Sequence, residues 1–162
     1  MITIELKDDQ VSAALQRLDG MLDDLSPVMN RIGDQLAESA MERIAKEVTP
    51  EGASFAPRSP ATLERYKRRK LSYGGILHRS GDMRSDIFHG YGTDFAEVGS
   101  NAIQAAAMQF GQARGASGTT SRGGPIPWGD IPARPFLGVS DEDTVAISEI
   151  VGEAIGRALT GS

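Results

Sequence analysis

The sequence predicts an α+β fold: N-terminal helices, a small antiparallel sheet around a β-hairpin, a long flexible glycine-rich loop and a C-terminal helix. Three observations carry that expectation. Apolar residues recur at three- and four-residue steps near both ends of the chain. Two short segments flank a glycine-bearing turn at Gly92-Thr93-Asp94. About twenty residues after Gly111 show no apolar period, which in a compact domain marks a functional or mobile connection. At 162 residues, 40% hydrophobic and 24% charged, the chain has ordinary globular values and suits a single domain over residues 1–162.

The opening "MITIEL" alternates Ile2 and Ile4 with Thr3 and Glu5, the period of a short edge strand. From about Gln10, the residues Val11, Leu15, Leu18, Leu22 and Leu25 share one helical face. Ser26 as N-cap and Pro27 in the first turn then start a second helix, with the stripe Met29, Ile32, Leu36, Ala40 and Ile44. Thr49, Pro50 and Gly52 end it. Ser59 and Pro60 repeat the start signal for a short basic helix that places Leu63 and Tyr66 on one side, and "SYGG" breaks it.

"SDIFHGY" and "DFAEVGS" read as the two strands of the hairpin, with Ile87, Phe95 and Val98 as its buried face. "NAIQAAAMQFG" returns to helix, capped by Asn101 and stopped at Gly111. The segment 111–130 holds six glycines, so its ordering entropy is high; alone it is expected to be mobile, and to order against a partner. Pro132 and Pro135 hold "IPARPFLG" extended, with Phe136 and Leu137 covering core and Arg134 paired with an acid. Ser140 or Asp141 caps the last helix, whose stripe is Ile147, Ile150, Val151, Ala154, Ile155 and Ala158.

Chemical signals are few. The chain has no cysteine, so disulfides, thiolate metal sites and cysteine nucleophiles are excluded. His78 and His89 are its only histidines, and neither sits in an acid–histidine spacing suited to zinc or general-base work. Ser117 lies among glycines but lacks the nucleophile-elbow spacing, and no lysine follows to make a phosphate loop. A hydrolase built on Ser117 or His78 is thus a reading without a triad. No catalytic, cofactor-binding or metal residue is assigned. The acidic groups Asp8-Asp9, Asp23-Asp24 and Asp141-Glu142-Asp143 read as helix starts or solvated faces. No apolar run approaches the about 20 residues of a membrane span, and the opening lacks the basic start and apolar core of a signal peptide, so a cytosolic chain is expected.

The net charge of −5 hides an asymmetry: residues 58–79 carry seven basic side chains against one acid, and the rest of the chain carries ten against twenty-one. Candidate interface or assembly residues are Arg58, Arg65, Lys67, Arg68, Arg69, Lys70, Arg114, Arg122, Trp128 and Arg134. The basic segment suits an acidic surface on a neighbouring subunit. It also suits a DNA-binding module using residues 65–70, with Tyr66 and Tyr73 to stack on bases, although the acid surplus elsewhere would repel a phosphate backbone.

Four separated pieces, "FAPRSPATLERY" (55–66), "LHRSGDMRSDI" (77–87), "VGSNAIQAAAMQFG" (98–111) and "IPARPFLGVSDED" (131–143), resemble in order and spacing the phage virion morphogenesis family of tail-completion proteins, of the Mu-type prophage protein G kind. The resemblance implies that Phe55, Pro57, Gly81, Gln109, Phe110, Gly111, Pro132, Pro135, Phe136 and Leu137 are structural motif residues. Relatives often carry a histidine before "QFG" where this chain has Met108, a departure that loses a polar contact at most. It also implies a non-enzymatic virion-assembly protein of a tailed phage or prophage, made in the host bacterial cytoplasm and placed at the neck or tail terminator. The implied form is an oligomeric ring, a hexamer to match tail symmetry. The implied partners are further copies of itself and neck, tail-tube or head-completion proteins, with DNA contact without specificity, no membrane and no cofactor.

Overall fold

A computed structural model describes residues 9–72, 74–77 and 81–161. The strand expected at the opening, and Tyr73, His78 and Arg79, lie outside the described residues. The fold is mixed helix and strand as the sequence predicts: α1 (Asp9–Asp23), α2 (Ser26–Lys46), α3 (Pro60–Arg68), α4 (Asp82–Ser85), β1 (Ile87–Tyr91), β2 (Ala96–Ser100), α5 (Ala105–Phe110) and α6 (Asp141–Thr160).

The central element is α2, because its apolar stripe is long enough to serve two cores. Val28, Ile32 and Leu36 pack with Ile150 and Ala154 of α6 in one cluster. In its last turn, Ile44 enters a second cluster with Phe55, Leu77, Met83, Ala102, Ala105 and Phe136. Ile44 and Phe136 are wholly buried, and each such side chain contributes about 2–3 kcal/mol by leaving water. Beside the first cluster Gly33 lets β1 approach: a Cβ there would lie 2.7 Å from the His89 ring. His89 is held by Asn30 Oδ1 at 3.0 Å on one nitrogen and lies 3.5 Å from an Asp34 carboxylate oxygen on the other.

The start of α2 differs from the expectation for Ser26. Leu25 occupies the cap position and Ser26 is already helical; its amide donates to Asp24 Oδ1 at 2.9 Å. Asp24 wins because a carboxylate is the stronger acceptor, and the bonds from Ser26 hold its pKa below the ordinary value. Ser59 does cap α3, accepting from the Thr62 amide at 3.3 Å, with Pro60 first in the helix and Tyr66 buried beneath it.

β1 and β2 pair antiparallel with Ile87 opposite Ser100 and Tyr91 opposite Ala96. The turn closes through Gly92 N–H to Phe95 O at 2.9 Å. Phe95 is a correction: it stands half exposed beside the turn, while Ile87 and Val98 pack against the two cores as expected. Asn101 does not cap α5. Its amide donates to Asp86 O at 3.0 Å, carrying the hairpin ladder one step further, so α5 begins only at Ala105.

The 111–130 segment has no helix or strand, yet it is internally ordered. Thr119 and Pro125 form a bridge, Ser117 N–H donates to Ile126 O at 2.8 Å, and Ile126 N–H returns to Gly118 O at 2.8 Å. Positive φ values at Gly115 and Gly118 allow this doubling back.

At the ends of the chain, Ser140 caps α6 in a reciprocal capping box with Asp143. Val151 and Ile155, expected on the α6 core stripe, are more than a third exposed. Helix α1 packs on α6 but buries no residue fully.

Candidate assembly surfaces

Two motifs far apart in sequence form one strap. Gln112 and Ile131 exchange backbone bonds of 2.8 and 2.7 Å, and Arg134 N–H donates to Met108 O at 2.7 Å. Gln109 holds the extended segment with its side chain: Oε1 accepts from the amides of Phe136 and Leu137 at 3.0 Å each, and Nε2 donates to Leu137 O at 2.9 Å. Between them Gly111 has φ +73°, and a Cβ there would sit 2.9 Å from both Ala133 N and Ile131 O.

Arg134 is a correction on two counts. It is buried and so is no surface contact, and its partners are three carbonyls and a thioether rather than an acid: Ala56 O at 2.7 Å, Pro57 O at 3.0 Å, Pro132 O at 3.5 Å and Met108 Sδ at 3.8 Å. Flanking prolines leave these carbonyls without competing amides, so the fixed guanidinium fork fills them. Burial, and then the charge of Arg58, pull its pKa below the ordinary arginine value. Arg58 is likewise committed, donating to the carbonyls of Gly74 at 2.9 Å, Gly75, and Ile76 at 3.2 Å. Its guanidinium also lies 5.9 Å from the Tyr66 ring centre.

Sequence reading missed Arg43 and treated Asp143 as an ordinary helix-start acid. Both are buried and joined in an ion pair. Arg43 also donates to Gly138 O at 2.9 Å, Phe136 O at 3.3 Å and Ser39 Oγ at 2.8 Å. Ser140 closes the set, with its amide and hydroxyl each 2.8 Å from Asp143 Oδ2. Burial pushes the Asp143 carboxyl up, but the Ser140 and Ser39 bonds and the Arg43 charge together leave it below its ordinary value. The available signals were a cation seven residues after Leu36 on the α2 core stripe and the "SDED" capping box.

Above this interior, several predicted residues do face outward. Arg65, Lys67, Arg68, Arg69 and Lys70 are exposed, and the last four make no ion pair among the described residues. Arg114 and Arg122 are exposed on the glycine-rich segment, where the Arg114 amide is tied to Asp130 Oδ1 at 2.8 Å. Trp128 is 76% exposed. Of the family-motif residues, Phe55 and Phe136 are core, and Gly81 takes φ +85° before α4. Phe110, grouped with them as structural, is 79% exposed, and Ile103 nearby in sequence is fully exposed. On α1, Val11, Leu15 and Leu22 are 53%, 57% and 59% exposed.

Among the described residues no three His, Asp or Glu side chains are placed to hold a metal, and no helix is long and apolar enough to cross a membrane. The Ser117 hydroxyl is bonded by the Gln112 amide, not by an imidazole.

Comparison with known proteins agrees with the motif pattern. A sequence model for the phage virion morphogenesis family matches residues 6–156. Tail completion protein S of Escherichia phage P2 is 29% identical over 147 residues, covering 83% of this chain and 90% of its own. Putative capsid assembly protein G of Escherichia phage Mu is 27% identical over 159 residues, covering 94% of this chain and 97% of its own. No solved structure matches the chain.

Proposed function

Because the chain belongs to the phage virion morphogenesis family, we propose that it acts in phage assembly by joining head to tail or completing the tail, as a closed ring of identical subunits at the neck or tail end. It does so without catalysis, in the host cytoplasm, and stays in the virion. The observation that carries this reading is the outward placement of Phe110 and Trp128, at 79% and 76% exposure, next to a strap fixed by hydrogen bonds. A large apolar group held out beside the strap, with a second on the adjoining glycine-rich segment, suits contact surfaces for tail-tube, neck or head proteins and for a neighbouring copy.

A ring requires that one patch meet a different patch on the next copy. The glycine-rich segment, carrying Arg114, Arg122 and Trp128, supplies a surface that settles further on docking. One observation favours a second reading, DNA contact: Lys67, Arg68, Arg69 and Lys70 lack ion-pair partners among the described residues.

Light scattering and negative-stain imaging of the purified protein, with and without isolated tails, test the proposal. Rings, a hexamer foremost, are the expected result. A chain that stays monomeric in both conditions would overturn it, and steeply salt-dependent duplex binding would favour the second reading.

A further inference from the structure

We infer that the exposed face of α1 is the socket for the basic segment 65–71 of a second copy of this chain. This rests on the ring reading above and names the two patches that meet. Val11, Leu15, Leu18 and Leu22 follow a four-three-four spacing, the seam on which one helix receives another. Leu15, Leu18 and Leu22 line an open groove of about 450 Å³ together with Gln16 and Asp19. Nothing in the described chain fills it, since α6 covers the adjoining face of α1.

The charge on the rim chooses the occupant. Asp9, Asp19 and Asp23 are exposed on α1 and make no ion pair among the described residues. The single cation of the helix, Arg17, is spent on the C-terminus of α6, donating to Ala158 O and Leu159 O at 2.9 Å each. The socket is therefore apolar in the middle and negative at the edge. A parallel second α1 would set Asp19 and Asp23 against their own copies, and an antiparallel one would bring a second acidic rim with no uncommitted cation, so neither supplies the opposite charge. The segment 65–71 has the opposite sign, with its exposed cations followed by Leu71 at 39% exposure as an apolar contact. A rival acidic groove, between the end of α2 and the start of α6, is less suited because its Glu42 already holds Lys46 at 2.7 Å and its Arg43 is paired with Asp143. Socket and segment are different patches of one chain, so the contact is head-to-tail, the kind a ring needs.

The test uses the full chain. Arg68→Glu with Arg69→Glu, and separately Asp19→Lys with Asp23→Lys, are each expected to weaken self-association at least about tenfold in sedimentation, and the four changes combined to restore it. All four sites are exposed, and circular dichroism checks that the fold persists. Because the chain has no cysteine, Gln16→Cys with Arg68→Cys supplies a second readout: oxidation is expected to give a covalent ladder of subunits. Efficient dimer formation by Gln16→Cys alone would overturn the socket in favour of α1 self-pairing. Wild-type assembly untouched by either charge reversal would overturn the socket and leave the ring standing. A wild-type chain that never assembles would sink both.

Discussion

Gln109 grips Leu137 from both sides, accepting its amide at 3.0 Å and donating to its carbonyl at 2.9 Å, and it takes the Phe136 amide with the same oxygen. One side chain on α5 thereby sets the register of the extended segment that drops Phe136 into the core. Gln109→Leu is expected to destabilise the fold by about 2–4 kcal/mol, because part-buried amides lose their acceptor. Urea denaturation measures it; a change within experimental error would contradict the clamp.

The same strap makes a specific demand on Gly111. With φ +73° and the backbone of Ala133 and Ile131 at 2.9 Å from a would-be Cβ, Gly111→Ala is expected to cost more than about 2 kcal/mol. Gly20, inside α1 and with open space around it, is the control: Gly20→Ala is expected to stabilise by about 0.5–1 kcal/mol. Opposite signs in thermal melts are the outcome to look for.

Asp143→Asn leaves Arg43 charged in the interior, and breaking such a buried pair costs about 3–5 kcal/mol. The folded carboxyl titrates below its ordinary value of 3.8. Its stabilisation is thus complete above that value and is lost as pH falls through the lower folded-state value. Melting temperatures of wild type and Asp143→Asn are expected to stay apart above the ordinary value of 3.8 and to converge as pH is lowered below it; a gap that stays constant would show that the pair is not the source.

Trypsin is expected to cut the free protein after Arg114 or Arg122, both exposed on the glycine-rich segment, and to cut the assembled protein more slowly. The ladder within that segment consists of solvent-facing backbone bonds around glycines, the kind that open easily. Equal protection in both forms would argue that docking leaves the segment unchanged.

Local signals were legible and distant ones were not. The α2 stripe and the Ser59 cap followed from spacing within a few residues. Arg43 and Asp143 are separated by 100 positions and Arg134 and Ala56 by 78, so no window along the chain contains both partners. Periodicity likewise placed Val11, Leu15 and Leu22 on one side of α1, but it cannot say whether anything covers that side. Phe95 was misjudged for the same reason: aromaticity suggests burial, and only the neighbours decide it.

The central claim, that contact surfaces and not reactive side chains do the work, is tested most directly by electron microscopy of particles produced with this chain deleted and then resupplied. Deletion is expected to leave separate heads and unfinished tails, and added purified protein to restore joined particles carrying its density at the junction. Normal particles in its absence, or rescue that requires turnover of a small substrate, would contradict the claim.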